Sequence, residues 1–168
     1  MFEIRSATVA DVPALRDIAL RTWPIAYGSI LSAGQIAYML ELMYSEEALS
    51  RQMKTGHGFL LAEENGTGSG LADAETGYSG QRITRLHKLY VLPSFQRRGV
   101  GLALLKTVED IARNASSFAV ELNVNKYNPA RKFYEQHGYT LKREEVIDIG
   151  AGYVMDDFVL WKTMQGSR

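Results

Sequence analysis

A strand pattern and a helix pattern that follow each other across a glycine-containing loop constrain this chain most. Residues 83–92 are rich in apolar and β-branched side chains and stop at Pro93, which is typical of a buried strand. Residues 100–114 repeat apolar side chains at helical spacing. Such a unit predicts a sheet with a helix packed on its face, which excludes an all-α or an all-β architecture.

Weaker patterns on both sides of this unit complete a mixed α/β fold. The N-terminal part predicts a short strand at residues 2–5, a helix from Pro13 that Pro24 ends, and two helical pieces that begin near Ser32 and Ser45. The remaining chain predicts a strand at 59–62 closed by an Asn65-Gly66 turn, a weak strand within 66–80, a strand at 118–124, a short helix at 128–136, and a hairpin of strands 139–149 and 153–161. We therefore predict one sheet with helices on both faces.

Length and composition predict one globular domain over residues 1–168. The chain has 46% hydrophobic and 23% charged residues, and 168 residues suffice for one hydrophobic core. Its 19 Lys+Arg balance 19 Asp+Glu, so no net field favours a nucleic acid or an anionic membrane. We therefore expect no nucleic-acid partner and no membrane partner, and any anion must be bound by a local site.

The absence of cysteine excludes several site chemistries. With zero Cys the chain has no disulfide, no thiolate nucleophile and no Cys-ligated metal centre. Its three His residues are scattered along the sequence, so we predict no metal site. The N-terminal residues show no basic segment followed by an apolar run, and no stretch of about 18 consecutive apolar residues occurs. These observations predict a cytoplasmic protein.

The loop between the strand and the helix has the composition of an oxyanion site. The first amides of a helix have no intrahelical acceptor and lie at the positive end of the helix dipole. Gly99 and Gly101 leave those amides open to a diphosphate, and Arg97 and Arg98 add positive charge. Two familiar phosphate loops do not match, because a P-loop needs Lys and then Ser or Thr after its last Gly, and a dinucleotide fingerprint needs a small residue at Leu104.

The loop resembles the acyl-CoA signature of the GNAT superfamily of N-acyltransferases, in which Gln/Arg-x-x-Gly-x-Gly/Ala follows a strand that ends in Val-x-Pro. The matching residues are Gln96-Arg97-Arg98-Gly99-Val100-Gly101. A second segment, residues 122–139, is similar to the strand and short helix that follow in the same superfamily. In this segment Asn128, Pro129 and Gly138 also suit the cap, the first turn and the C-terminal end of a helix.

The resemblance implies a GNAT-like fold and a binding mode for acetyl-CoA. The implied sheet is mixed and mostly antiparallel, and its two central parallel strands splay apart so that acetyl-CoA, the acyl-donor substrate, lies between them. The implied cofactor-binding residues are Leu89, Tyr90, Val91, Gln96, Arg97, Arg98, Gly99, Val100, Gly101, Leu102 and Ala103. Asn125 and Asn128 are both candidates for the contact with the pantetheine arm, because the usual Asn position of the superfamily falls at Tyr127.

Two residues are candidate catalytic groups. The resemblance implies that Tyr134 protonates the departing CoA thiolate, although a buried aromatic residue would also suit core packing here. His87 is a candidate base for the acceptor amine because its ordinary pKa suits proton transfer near neutrality, and a structural role for it is equally consistent. Glu75 and Glu121 are the alternatives. Superfamily members often carry Glu where this chain has Asn123, so the identity of the base stays open.

The N-terminal helical region supplies the candidate acceptor pocket. Residues 23–32 and 35–40 further resemble the branch of PaiA-type polyamine acetyltransferases, although amphipathic helices alone account for the same pattern. The predicted substrate-binding residues are Trp23, Tyr27 and Tyr38. A polyamine acceptor would favour a carboxylate nearby, such as Glu41 or Asp156.

These features together predict an N-acetyltransferase that transfers an acetyl group from acetyl-CoA to a primary amine by direct attack in a ternary complex. The acceptor would be a small molecule such as a polyamine, or a peptide N-terminus. The alternatives are a non-catalytic acyl-CoA-binding regulatory module and a nucleotide-binding protein. A homodimer stays open, because the sequence does not determine the oligomeric state.

Overall fold

The structure is a computed structural model that describes residues 1–164, so positions 165–168 of the predicted domain lie outside the described residues. The strands are β1 (Glu3–Ser6), β2 (Gly58–Glu64), β3 (Thr67–Glu75), β4 (Ile83–Val91), β5 (Ala119–Asn125), β6 (Thr140–Gly150) and β7 (Tyr153–Thr163). The helices are α1 (Val12–Tyr27), α2 (Ala33–Tyr44), α3 (Glu46–Lys54), α4 (Val100–Asn114) and α5 (Ala130–Gln136). The predicted mixed α/β class is confirmed.

All seven strands form one sheet in the order β1-β2-β3-β4-β5-β7-β6. Neighbouring strands are antiparallel except for the central pair β4 and β5, which is parallel. On one face, Leu104 and Val108 of α4 pack with Leu122 of β5. On the other face, Leu15 of α1 packs with Leu71 of β3. The amphipathic helices thus bury both faces of the sheet, and this burial is the main driving force for the fold.

The parallel strands β4 and β5 pair only along their first halves. Their register runs from Ile83 to Leu86 of β4, and within residues 1–164 no later residue of β4 pairs with β5. Strand β5 nevertheless stays in the sheet through β7 as far as Asn125, which lies opposite Asp157. The two central strands therefore diverge beyond Leu86, and the predicted splayed pair is confirmed.

A β-bulge in β4 marks the point where the strands diverge. Asp73 of β3 lies opposite Lys88 and Ala74 lies opposite Leu86, so His87 is the extra residue. Successive side chains of a regular strand point to opposite faces, but the bulge changes this alternation. His87 and Lys88 as a result both contact carboxylates of β3, and Lys88 also reaches Gln52 of α3.

Helix α1 continues past Pro24, so the prediction that Pro24 ends the helix is wrong. Pro24 lies on the exposed side of α1, where water can bond the carbonyl that lost its donor. One face of the same turn is buried, because Trp23 and Tyr27 pack into the core and the Thr22 hydroxyl donates to the Ile18 carbonyl at 2.8 Å. Burial of this face outweighs the local cost of proline, and the helix ends at Tyr27.

Strand β3 is regular and central although its sequence predicts only a weak strand. Residues 69–74 are all buried. Small residues are required there, since a Cβ atom at Gly70 would lie 3.0 Å from the Tyr90 carbonyl and 3.2 Å from Leu104 Cδ1. The low apolar content of β3 therefore reflects close packing under α4 and not exposure to solvent.

Two predicted hairpin turns are confirmed. Asn65 and Gly66 connect β2 to β3 with φ angles of 52° and 77°, a left-handed conformation that Asn and Gly tolerate best. Gly150, Ala151 and Gly152 connect β6 to β7, and all three have positive φ angles. Among the helices of residues 1–164, none has the length and apolarity needed to span a lipid bilayer.

Candidate active site

A run of free backbone amides opens helix α4. The N–H groups of residues 97–102 have no hydrogen-bond acceptor among the described residues, and the next amide, that of Ala103, donates to the Gly99 carbonyl at 3.0 Å. The φ angles of Arg97 (62°) and Gly99 (84°) are left-handed, which is typical of turns whose successive N–H groups face one anion. Together with the helix dipole, these amides make the loop suitable for a diphosphate.

The side chains around this loop leave room and charge for a ligand. Arg98 pairs with Glu64 at 2.8 Å on the surface, whereas Arg97 forms no ion pair within the described part of the chain. A Cβ atom at Gly99 would meet no atom within 4 Å, so the space beside that residue is open, whereas one at Gly101 would touch Val91 and Phe133 at ordinary contact distance. Of the predicted loop residues, Gln96 to Gly99 are exposed, whereas the side chain of Val100 is buried in the core.

Tyr134 of α5 is buried on the face of the sheet that α4 covers, in one cluster with Leu86 of β4 and Leu122 of β5. Its ring is buried and packs edge-on against Phe133 and Tyr139. Its hydroxyl makes no hydrogen bond to any residue that the structure describes. Burial, with a smaller effect of nearby Tyr27, raises the pKa of Tyr134 well above its usual value, so the phenol keeps its proton near neutrality.

A cleft of about 190 Å³ opens on the α1–α2 side of the gap between β4 and β5. Aromatic residues, methionines and polar groups from both central strands line it. The lining residues are Trp23, Tyr27, Leu31, Gln35, Met39, Met43, Tyr44, Arg85, Leu86, His87, Lys88, Tyr90, Asn123, Asn125, Ile147, Met155 and Asp157. The cleft thus brings together residues that are distant in the sequence, and its mixed lining suits a small polar ligand.

Two of the three predicted substrate-binding residues lie in this cleft. Trp23 and Tyr27 line it, and the Tyr27 hydroxyl hydrogen-bonds the Tyr90 hydroxyl at 2.9 Å. Tyr38 lies elsewhere, because its hydroxyl donates to the Ile149 carbonyl at 2.6 Å and its ring packs against Tyr153. Tyr38 therefore fastens α2 to the β6–β7 hairpin and is absent from the cleft lining.

Sequence reasoning missed the carboxyl group that faces the cleft. Asp157 is almost fully buried, and Asn123 Nδ2 donates to its Oδ2 at 3.1 Å. Burial raises the pKa of Asp157 above its usual value. The two carboxylates suggested for a polyamine lie outside the lining, since Glu41 is exposed on α2 and Asp156 pairs with Lys126 at 3.0 Å. Neighbouring residues of a strand point to opposite faces, so only one of Asp156 and Asp157 can face the cleft. Which of the two does so depends on the register of β7 with β5, which the sequence does not give.

The carboxylate of Glu121 forms ion pairs with three cationic side chains. Lys142, Arg85 and Arg143 lie 2.9, 3.2 and 3.2 Å from its carboxylate oxygens. Burial alone would raise the pKa of Glu121, but these cations lower it overall. A carboxylate in this setting is a poor proton acceptor, so Glu121 is the weakest of the three candidate bases.

The family of the chain follows from a comparison with known sequences. The profile of the family described as "Acetyltransferase (GNAT) domain" matches residues 31–155, which is most of the chain. The chain belongs to the GNAT acetyltransferase family. The predicted resemblance is thereby confirmed, and the protein is an enzyme of the acyltransferase class.

Relatives of this GNAT chain match along most of its length. An uncharacterized N-acetyltransferase of Lactobacillus delbrueckii subsp. lactis is 27% identical over 161 residues, which are 92% of this chain and 92% of that protein. The spermidine N(1)-acetyltransferase of Thermoplasma acidophilum is 23% identical over 160 residues, which are 92% of this chain and 95% of that protein.

Solved structures share the fold. The PaiA N-acetyltransferase of Thermoplasma acidophilum, crystallised in complex with coenzyme A, superimposes with a TM-score of 0.82 at 24% identity, over 97% of this chain and 99% of that one. The ribosomal-protein-S18-alanine N-acetyltransferase of Escherichia coli superimposes with a TM-score of 0.75 at 19% identity, over 100% of this chain and 97% of that one. The splayed sheet is therefore the GNAT fold.

A buried ion pair supports the cleft of this GNAT chain. Asp73 is fully buried, and its Oδ2 accepts hydrogen bonds from Lys88 Nζ and from the His57 ring, each at 2.7 Å. Burial alone would raise the pKa of Asp73, but the hydrogen bond from His57 and the charge of Lys88 lower it overall. Asp73 is therefore ionised near neutrality and holds both partners in place.

His87 is part of a histidine pair that the sequence did not reveal. Its Nε2 lies 2.9 Å from Glu75 Oε1, and its ring stacks on that of His57 with centroids 4.3 Å apart. Burial lowers the pKa of His87 below its ordinary value of 6.5, so its imidazole is neutral near pH 7. Two of the three histidines, separated in sequence by β2 and β3, thus meet at the edge of the cleft.

The histidine pair also tests whether this place suits a metal ion. His57, Glu75 and His87 can each offer one ligand atom, and these atoms lie within 4.8 Å of one another. The two rings stack with centroids 4.3 Å apart and planes 21° apart, so their in-plane lone pairs lie in separate, nearly parallel planes and not in one shared plane. We therefore interpret the group as a hydrogen-bonded chain, and the expectation of no metal site stays a prediction.

Proposed function

We propose that this GNAT protein transfers an acetyl group from acetyl-CoA to a small primary amine by direct attack in a ternary complex. The observation that carries the proposal is the gap between β4 and β5. The free amides of residues 97–102 follow the open end of β4, Tyr134 packs with the core on the α4 face, and the cleft lined by Trp23 and Tyr27 opens on the opposite face. A donor bound at the amides and an acceptor bound in the cleft would therefore meet at the gap.

The donor site follows from the open half of β4. The amides of residues 97–102 would bind the diphosphate, and the pantetheine would lie along Leu89, Tyr90 and Val91, where β4 has no β5 partner. A backbone N–H of this half would stabilise the oxyanion formed on the thioester carbonyl. The PaiA structure of Thermoplasma acidophilum is a complex with coenzyme A, which supports acetyl-CoA as the donor.

Both candidate asparagines can serve the pantetheine arm. Asn125 Oδ1 accepts the Tyr127 N–H at 2.9 Å, and Asn128 Oδ1 accepts the Ala130 N–H at the same distance. The amide oxygens are therefore used in the loop between β5 and α5, and the NH₂ group of each side chain keeps donor capacity. Asn125 lines the cleft, which favours it for a contact near the thioester.

The acceptor site would suit an ammonium ion. The faces of Trp23 and Tyr27 attract cations, and the Asp157 carboxyl can accept hydrogen bonds from an amine. A polyamine or a peptide N-terminus would meet these requirements. The named activity of the spermidine N(1)-acetyltransferase of Thermoplasma acidophilum supports the polyamine.

Two side chains would move the protons of the reaction. Neutral His87 would take a proton from the ammonium ion, which frees the nitrogen lone pair to attack the thioester carbonyl. The Tyr134 phenol, which remains protonated near neutrality, would protonate the departing thiolate. No covalent intermediate with the enzyme is needed, and alignment of the two substrates supplies much of the rate.

The proposal is tested by release of free thiol from acetyl-CoA across a panel of polyamines, amino acids, aminoglycosides and peptides. We expect saturable turnover with one of these amine classes. The variant Tyr134→Phe should lower kcat by about 100-fold or more and leave the Kd for coenzyme A unchanged. The control Tyr139→Phe removes a neighbouring phenol that bonds Glu109 and should keep kcat.

Two outcomes would contradict the proposal. If coenzyme A binds but no amine releases thiol, the protein is the non-catalytic acyl-CoA-binding module. If Tyr134→Phe turns over like the wild type, Tyr134 is not the acid that protonates the thiolate.

A further inference from the structure

A second surface groove lies at the end of the sheet where β2 begins and β3 ends. It has a volume of about 530 Å³, and its lining includes His57, Gly56, Gly58, Thr76 and Met53. His87 lines the acceptor cleft and does not line this groove. Glu75 lies between the two histidines and within 3.5 Å of a nitrogen of each. The chain His87–Glu75–His57 thus connects the acceptor cleft with a separate opening to solvent.

The proposed reaction leaves one proton that must be exported. A primary amine enters as an ammonium ion with three N–H bonds and leaves as an amide with one. As the C–N bond forms and the C–S bond breaks, one of the two released protons joins the thiolate sulfur through Tyr134. The other proton has to reach water in each turnover. The bound amine and the thioester fill the cleft at that moment, so direct release from His87 into the cleft is obstructed.

Asp73 fixes the tautomer of His57 in the form that can receive a proton. Because Asp73 is a carboxylate, it accepts the hydrogen bond at 2.7 Å and His57 Nδ1 carries the hydrogen. In neutral His57 the lone pair is then on Nε2, which lies 3.5 Å from Glu75 Oε1. The same Glu75 oxygen lies 2.9 Å from His87 Nε2, which therefore carries a hydrogen and donates it.

We propose that Glu75 and His57 conduct the proton that His87 takes from the acceptor amine to the second groove, where water receives it. His87 accepts the amine proton on Nδ1 and passes its Nε2 hydrogen to Glu75 Oε1. Glu75 passes a proton to His57 Nε2, and the resulting imidazolium is stabilised by Asp73 until water in the groove takes the proton. After the products leave, water in the open cleft takes the Nδ1 proton and returns one to Nε2, which restores the first tautomer with no net change in protons. The proposal rests on the proposed function, in which His87 is the base.

The charges around the chain suit this path. Lys88 of β4 pairs with Asp73, and among residues 1–164 Glu75 has no Lys or Arg partner beside the two rings. From the loop before β4, Tyr78 packs edge-on against His87, and Arg85 lies over the Tyr78 ring. A proton on the chain is therefore attracted by two carboxylates and repelled only by Lys88 and the more distant Arg85.

Chemical rescue is the sharpest test, because it reports proton transfer and not packing. We expect His57→Ala to lower kcat about tenfold or more, with an unchanged KM for acetyl-CoA. Added imidazole should enter the groove beside Gly56 and Gly58 and restore the rate, to a degree that changes with the pKa of substituted imidazoles. Wild type and the control Thr76→Ala, which alters the groove without a titrating group, should show no activation by imidazole.

A second variant keeps the test decisive if His57→Ala unfolds. His57→Gln retains an amide donor for Asp73 but cannot carry a proton, so the relay predicts a similar loss of kcat. The relay is overturned if His57→Gln keeps the wild-type kcat across the pH range. It is also overturned if no imidazole restores the kcat lost in His57→Ala. His87→Ala separates the two proposals. Full activity in His87→Ala removes the base and the relay together, whereas loss of activity in His87→Ala with full activity in both His57 variants removes the relay alone.

Discussion

The two halves of strand β4 differ although they belong to one continuous strand. All residues from Ile83 to Leu86 pair with β5, and Arg85 and Leu86 also pair with β3 on the other side. Within residues 1–164 the half from His87 to Val91 has no β5 partner, and its residues His87, Lys88 and Tyr90 line the cleft. The comparison teaches that one strand can be held at its β5 edge in its first half and leave that edge unpaired in its second half.

The largest expected effect concerns the buried charges of the open half. Asp73→Asn would leave Lys88 buried without its counter-ion and should lower the free energy of unfolding by about 3–5 kcal/mol. The pKa of Asp73 is lower in the folded than in the unfolded protein, so its stabilisation is present near neutrality and is lost as the pH falls through the folded-state pKa. Urea unfolding at neutral and acidic pH measures both effects. Equal stability of wild type and variant at neutral pH would contradict the account.

The paired half should respond through packing alone. Leu122 of β5 is buried opposite Leu86, and Leu122→Ala should lower the free energy of unfolding by about 2–5 kcal/mol. The same urea titration measures the loss. The cavity that Leu122→Ala leaves lies in an apolar region, so the loss of unfolding free energy should not depend on pH. A loss that disappears in acid would contradict the difference between the two halves.

Catalysis should depend on the open half. The lowered pKa of His87 makes the imidazole neutral above that pKa, so kcat/KM should rise with pH along a limb centred below 6.5 and level off near neutrality. His87→Gln should reduce kcat about 100-fold and remove this limb. The control Tyr78→Phe keeps the ring that packs on His87 and should retain the wild-type pH profile. An unchanged acid limb in His87→Gln would assign the base to another group.

The smallest effects distinguish the two tyrosines that were predicted to bind the acceptor. Tyr27→Phe removes a hydroxyl in the cleft and should raise KM for the amine several-fold. Tyr38→Phe removes the hydrogen bond to the Ile149 carbonyl outside the cleft and should cost about 1 kcal/mol of stability without changing KM. Steady-state kinetics and thermal unfolding of the two variants provide the measurement. A reversed pattern would place the acceptor near Tyr38.

The sequence predicted the elements whose local patterns agree with their environment. Helix α4 and the turn at Asn65 and Gly66 have strong signals, because amphipathic spacing and left-handed φ preferences act within a few residues. The sequence mispredicted the end of α1, since the burial of Trp23 and Tyr27 outweighs Pro24 only in the folded protein.

The loop before α4 could be described from the sequence alone, whereas the cleft could be described only in part. The donor loop is one contiguous segment, so its glycines and arginines could be read directly. The acceptor cleft combines distant strands, and the position of Asp157 depends on its register opposite Asn125. The pairing of His57 with His87 depends in addition on the bulge in β4, for which no local residue pattern was available.

The central claim is that the free amides at the start of α4 hold the acyl donor beside the open half of β4. A crystal structure of the protein with bound coenzyme A tests it most directly. The account predicts diphosphate oxygens within hydrogen-bond distance of the N–H groups of residues 97–102 and a pantetheine arm running along Leu89 to Val91. A coenzyme A molecule bound at any other place, with those amides facing only water, would contradict it.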